Sequence, residues 1–205
     1  MQTQSVKAGE LLDLAERHIR TVGYNGFSFR TLADEAGIKS ASVHYHFPTK
    51  EHLAAAVAMR YADRFFAELG DPAAVKTTPA DQMKTFIELF RGALRDDGRM
   101  CLFCMLGAEF STLPPDVQAA VRQFFLRSTE WLAKLFAHAP DELGHAAQDP
   151  AARARTIIAA LEGAMIVARC SNDLAIFDDI AGQMAVHGLI PAQRPAAKRR
   201  LPAKK

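Results

Sequence analysis

The side chains best suited to recognising another molecule cluster between Ser28 and Lys50: Ser28, Arg30, Thr31, Lys39, Ser40, Ser42, His44, Tyr45, His46 and Lys50. Hydroxyls, imidazoles, a phenol and cations in one short stretch supply donors and acceptors for base edges and phosphates. A second concentration, Cys101-x-x-Cys104, offers thiol chemistry. One such pair cannot complete a four-ligand zinc site, and no second pair follows, so no metal is expected. The thiols have two readings. They are small core residues, or they are reactive thiolates favoured by an early helical position and by neighbouring Arg99. The chain has no Gly-rich phosphate loop, no Gly-x-Ser-x-Gly elbow and no His-Glu-x-x-His, so neither an enzyme nor a cofactor is expected.

The elements that must position the first set run from Phe27 to Leu53. Ser28 can cap a helix carrying Phe29, Leu32, Ala33 and Ala36 at helical spacing. Gly37 supplies a left-handed stop, Ile38 plugs the turn, and Ser40 can cap a second helix running to about Phe47. Val43 and Phe47 lie four apart on one face, with Ala41 and Tyr45 roughly opposite. Two short helices that must cross steeply, one with an apolar back and a polar front, make a helix-turn-helix fit for the major groove. Tyr45, Ser42, Ser40, His44 and Lys39 are then the base-facing candidates. Ser28, Arg30, Thr31, His46 and Lys50 are the phosphate candidates, with Thr31 alternatively a buried helix residue. A helical hairpin within a core is the competing reading of two such helices.

The ordered set Gly37, Val43, Tyr45, His46, Phe47, Lys50, Glu51 and Leu53 resembles the DNA-binding domain of the TetR/AcrR family of bacterial transcriptional regulators. The upstream Gly23-Tyr24-Asn25-Gly26-Phe27-Ser28 resembles that family's link between its first and second helices. Close agreement covers about residues 8 to 55. His44 stands where members often carry Tyr, and Lys39 and Ala41 where they often carry Ser and Gly, so base contacts are not inherited with the fold. The resemblance implies an all-α protein of about nine helices. A helix-turn-helix DNA-binding domain would occupy 1–50, a ligand-binding and dimerisation domain 51–190, and a basic tail 191–205. It also implies a homodimer through helices at about 151–170 and 173–187, double-stranded operator DNA as partner, and a small-molecule effector that releases a repressor. Some electrophile-responsive relatives use a cysteine in the region of Cys101 and Cys104. A thiol-dependent enzyme, or a helical small-molecule carrier with an inert head, is the alternative function.

Composition agrees with a soluble globule: 205 residues, 49% hydrophobic and 23% charged, with three cysteines in no even framework. No leader pattern and no apolar run near ~20 residues are seen, which implies the cytoplasm and no membrane. The net charge of +2 is uneven, because residues 194–205 hold six cations and no acid, leaving the remainder at −4. Residues 1–53 balance Lys7, Arg17, Arg20, Arg30, Lys39 and Lys50 against Glu10, Asp13, Glu16, Asp34, Glu35 and Glu51. A DNA-binding surface must therefore come from placement rather than bulk charge. The tail could add nonspecific attraction.

Around the helix-turn-helix, periodicity predicts a first helix over about 5–22 and a helix after Pro48-Thr49 reaching Leu69, longer than the head alone needs. Further helices are predicted over about 80–95, 99–111, 115–137, 151–170 and 173–187. Phe103, Phe110, Phe124, Phe125 and Trp131 either line an effector pocket, with Glu109 as its polar handle, or pack as core.

Overall fold

In the computed structural model of the protein, residues 2–73, 77–138 and 149–190 are described. Among them the chain forms nine α-helices and no strand: α1 Gln2–Val22, α2 Phe29–Glu35, α3 Ser40–His46, α4 Lys50–Leu69, α5 Pro79–Asp97, α6 Leu102–Ala108, α7 Pro115–His138, α8 Pro150–Ser171 and α9 Leu174–Val186. A 3-10 turn at Phe110–Thr112 follows α6. The basic tail and His145 lie outside the described residues.

Local signals set most boundaries. Ser28 caps α2, and Gly37, at φ 65°, ends the helix as the Ile38 amide bonds back to the Ala33 carbonyl at 3.0 Å. Thr49 caps α4 through the His52 amide. Ser40, expected as the cap of α3, is instead its first residue. Lys39 occupies the cap position, with no side-chain bond to the helix. The helix expected over 99–111 is also shorter, beginning at Leu102. Arg99 belongs to the end of α5, where its amide reaches the Ala93 carbonyl beyond Gly98, and Cys101 remains extended.

The head, α1 to α3, closes over Leu11, Ala15 and Ile19 of α1, Leu32 of α2 and Val43 of α3. Leu53, Ala54 and Val57 of α4 belong to the same core, and all of these are fully buried. Helix α4 then continues into the body, packing on α7 and α5. There the core is aromatic. Phe65 meets Phe86, Phe90 and Phe124 edge-on, and Phe103 stacks on Phe124 at 3.9 Å between centroids. Trp131 stacks on Phe86 at 5.7 Å and donates to the Gly70 carbonyl at 2.8 Å. Phe103 and Trp131 therefore pack as core rather than line an open pocket, because both are buried and each stacks on another ring. Phe110 is half-buried, with Arg122 over its ring at 4.7 Å.

Helices α7, α8 and α9 pack in series. Beyond them α8 and α9 present Ile166, Val167 and Val186 to solvent.

Removing the ring at the centre of this cluster leaves a cavity among neighbours that cannot collapse together. Phe124→Ala should lower unfolding free energy by about 3–5 kcal/mol in urea titration. A loss under about 1 kcal/mol would contradict the packing.

Candidate nucleic-acid interface

Helix α3 is anchored on one side and open on the other. Val43 is 0% exposed while Tyr45 is 70% exposed, and Lys39, Ser40, Ala41 and Ser42 are exposed with it. Lys7, Ile38, Lys39, Ser42, Tyr45 and His46 border an open concavity of about 440 Å³ on this side. His46 meets the Tyr45 ring edge-on at 5.4 Å, a contact that orients the phenol. The surface offers a phenol, hydroxyls, an imidazole and an ammonium on a convex helix, which are donors and acceptors for base edges.

The apparent charge balance of the head resolves once each cation's partner is known. Lys7 pairs with Glu10 at 2.7 Å and also reaches the Ala36 carbonyl. Arg17 pairs with Glu35, which His18 also contacts at 2.7 Å, and these partners lower the Glu35 pKa. Arg20 donates to the Met100 carbonyl at 2.8 Å. Lys50, expected to face phosphate, instead folds over the rings of Tyr24 and Phe27 at 4.4 and 4.6 Å. Burial there lowers its pKa, with the charge of Glu109 opposing. Arg30 and Lys39 remain exposed, and neither forms an ion pair or hydrogen bond with the described residues.

Other expected contacts are also engaged internally. His44 meets Phe29 edge-on at 4.8 Å and places Nδ1 3.2 Å from the Pro48 carbonyl, so it braces the end of α3 rather than facing bases. Ser28 and Thr31 complete a capping box. The Thr31 amide donates to Ser28 Oγ, the Ser28 amide to Thr31 Oγ1 at 3.0 Å, and the Thr31 hydroxyl to the Ser28 carbonyl at 2.7 Å. Both residues are exposed, so Thr31 is not a buried helix residue.

Glu109, expected as a polar handle for an effector, holds the head to the body. Its carboxylate accepts the Tyr24 amide at 2.5 Å and lies 3.3 Å from Asn25 Nδ2, which also donates to Thr112. It lies so close beneath Gly23, at φ 81°, that a Cβ there would stand 2.6 Å from Glu109 Oε1. No local signal in the sequence points to this pairing, because the partners are 85 positions apart.

The thiolate reading of Cys101 and Cys104 fails on burial. Cys101 is wholly enclosed and Cys104 half-buried, and burial first, then the charge of Glu162, raises both thiol pKa values far above the ordinary range. Arg99 is not among the causes acting on either thiol. The acid involved, Glu162 on α8, went unread as a site in the sequence. A lone carboxylate within Ile158-Ala-Ala-Leu-Glu-Gly-Ala-Met-Ile166 was its signal. Both its oxygens are buried without a hydrogen bond of normal geometry, and the thiols of Cys104 and Cys101 face them as weak donors. Burial raises the Glu162 pKa to about 7. Between about pH 4.5, where the unfolded carboxyl loses its proton, and about pH 7, the folded form still holds it. Stability should therefore fall across that window by up to about 3 kcal/mol. Urea unfolding at pH 5 and pH 7.5 should show this fall in the wild type and a smaller one in Glu162→Gln; equal falls would refute the assignment.

The comparisons with known proteins agree with this geometry. Residues 11–57 match the family profile described as bacterial regulatory proteins, tetR family. Residues 79–183 match that of the transcriptional regulator LmrA/YxaF-like C-terminal domain. A structure of a TetR transcriptional regulator from Legionella pneumophila, 29% identical, superimposes with a TM-score of 0.78 over 87% of this chain and 95% of its own. A TetR family regulator from Agrobacterium tumefaciens, 28% identical, gives 0.83 over 92% and 100%. The HTH-type transcriptional repressor KstR2 of Mycobacterium tuberculosis is 31% identical over 78 residues, 38% of this chain and 39% of that protein, so the match spans well under half of the relative. Profile matches to both the head and the body, together with a fold shared end to end, establish that the chain belongs to the TetR family of DNA-binding bacterial transcriptional regulators.

Proposed function

We propose that the protein is a homodimeric repressor that leaves its operator when a small molecule binds the body. The observation that carries this reading is the outward Tyr45 side of α3, opposite wholly buried Val43. Tyr45, Ser42, Ser40 and Lys39 are the base-facing residues, with His46 at the edge of the same surface. Arg30 and Lys39 are the cations free to meet DNA. The similarity to a repressor supports the direction of regulation. The half-exposed Ile166 and Val167 on α8, with exposed Val186 on α9, support a face that meets a second copy. Two heads about 34–36 Å apart would then enter successive major grooves. An effector would favour a state with another head spacing, by no more than its own preference between the two states.

Binding to the duplex that flanks the protein's own coding region, followed against salt concentration, tests the head. Tyr45→Ala should weaken sequence-specific binding at least tenfold. Arg30→Ala should weaken binding to all sequences and reduce the log–log salt slope by about 2 per dimer, one phosphate per head. No binding by the wild type at low salt would reject the reading.

Placing a charge on the apolar outer face tests the dimer. The double variant Ile166→Glu, Val167→Glu should elute and scatter light as a monomer with helical content intact, and should lose operator binding at concentrations that saturate the wild type. A dimer surviving both changes would move the interface elsewhere.

A further inference from the structure

Helix α4 joins the head to the body, but one helix leaves the head free to bend and twist about it, since long helices are seldom straight. A second line of attachment, separate from α4, runs along the end of α1. Arg20 donates to the Met100 carbonyl at 2.8 Å, just before α6. Arg169 of α8 donates to the Thr21 carbonyl in the last turn of α1 at 3.3 Å. Beyond that turn, the Glu109 carboxylate at the end of α6 takes the Tyr24 amide on one oxygen. Its other oxygen takes the backbone and side-chain nitrogens of Asn25, at 3.4 and 3.3 Å. Asn25 also donates to Thr112 at 3.0 Å. Three separate segments of the body thus grip the stretch from Arg20 to Asn25.

Two of these attachments reach further than their own bonds. Both Glu109 oxygens accept, so a side-chain amide in its place would aim an N–H group at one of the nitrogens it now binds. The Lys50 ammonium, in the first turn of α4, lies over the Tyr24 ring at 4.4 Å, and the charge of Glu109 acts on it. One carboxylate therefore bears on the turn after α1 and on the start of α4. Arg169 lies within one turn of Ile166 and Val167, the exposed apolar pair on α8. Whatever seats α8 against a second copy is passed to the head through a single side chain.

We propose that Glu109 and Arg169 are specificity-determining residues for operator spacing: without touching DNA, they hold the end of α1 at a fixed place relative to α6 and α8, so that the dimer tells duplexes apart by the number of base pairs between half-sites. The proposal rests on the dimeric repressor reading above. Inserting one base pair moves a half-site by ~3.4 Å and turns it by about 35° around the duplex axis. A head fixed both through α4 and at the end of α1 cannot follow that change. A head held by α4 alone follows it by bending the helix.

Duplexes selected from a randomised pool by the full wild-type chain, then lengthened or shortened by one base pair at their centre, test the assignment. Either change should weaken wild-type binding at least tenfold. In Glu109→Gln and in Arg169→Ala the same changes should weaken binding less than threefold, with helical content and the dimer intact. A merely structural role would lower affinity at every length alike. Tyr45→Ala, on the reading surface, should do that and keep the wild-type ratio between lengths at low salt. Asn25→Ala removes only the side-chain bonds to Glu109 and Thr112; it should lower the ratio by about half, and decides the matter should the other two variants fail to fold. Wild-type tolerance of the added base pair, or an undiminished ratio in any folded clasp variant, would overturn the proposal and leave the repressor reading standing. A wild-type chain that selects no duplex would sink both together.

Discussion

One carboxylate fastens the turn after α1 to the body. Where α1 ends, the amides of Tyr24 and Asn25 have no helical acceptor, and Glu109 takes their place with charge-assisted bonds. Gly23 makes this possible twice over. Its positive φ turns the chain, and its missing side chain leaves room for the carboxylate. One turn earlier, Arg20 donates to the Met100 carbonyl, so both contacts land on the stretch from Met100 to Thr112. The same stretch includes Cys101, beside Glu162 and Tyr61. Helix α6 is thus flanked by contacts to the head on both sides, with the buried polar cluster at its N-terminal end.

What was legible in the sequence was what is local. Ser28, Gly37 and Thr49 act within four or five residues, through caps and a left-handed turn, and all took their expected roles. The in-and-out sides of α3 followed from helical spacing between Val43 and Tyr45. Some misreadings were local, since Ser40 proved to be the first residue of α3 and Ser28 and Thr31 satisfy each other in a capping box, but three others turn on distant partners. Lys50 looks like a phosphate donor until Tyr24 and Phe27 are seen beneath it. Glu109 looks like a pocket group until the turn after α1 reaches it. The thiols look activated by Arg99, yet burial and the charge of Glu162 set their pKa values and Arg99 does not act on them. Desolvation, which runs to several pKa units for an enclosed group, exceeds what a helix end or one flanking cation supplies.

The near-neutral head likewise becomes intelligible through pairing. Equal numbers of acids and bases suggest a surface without preference for DNA, yet the acids are not spread evenly among the cations. Glu35, Glu10 and Glu16 hold Arg17, Lys7, Arg60 and Arg64 in place. This leaves Arg30 in the first turn of α2 and Lys39 at the cap of α3. A few unneutralised cations attract a phosphate backbone without the indiscriminate adhesion of a strongly basic surface.

Helix α4 carries a mechanical consequence. Its 20 residues run without interruption from the turn after α3 to Leu69, beside the aromatic core, and so span roughly 30 Å. A tilt of about 5° at the core end sweeps the far end through about 2.6 Å over that radius. In the proposed dimer the two arcs would add, and the separation between reading helices would change by up to about 5 Å, about one and a half base-pair steps of ~3.4 Å. An angular change too small to disturb the packing around Phe65 would thereby be geared into a mismatch that a rigid duplex cannot follow.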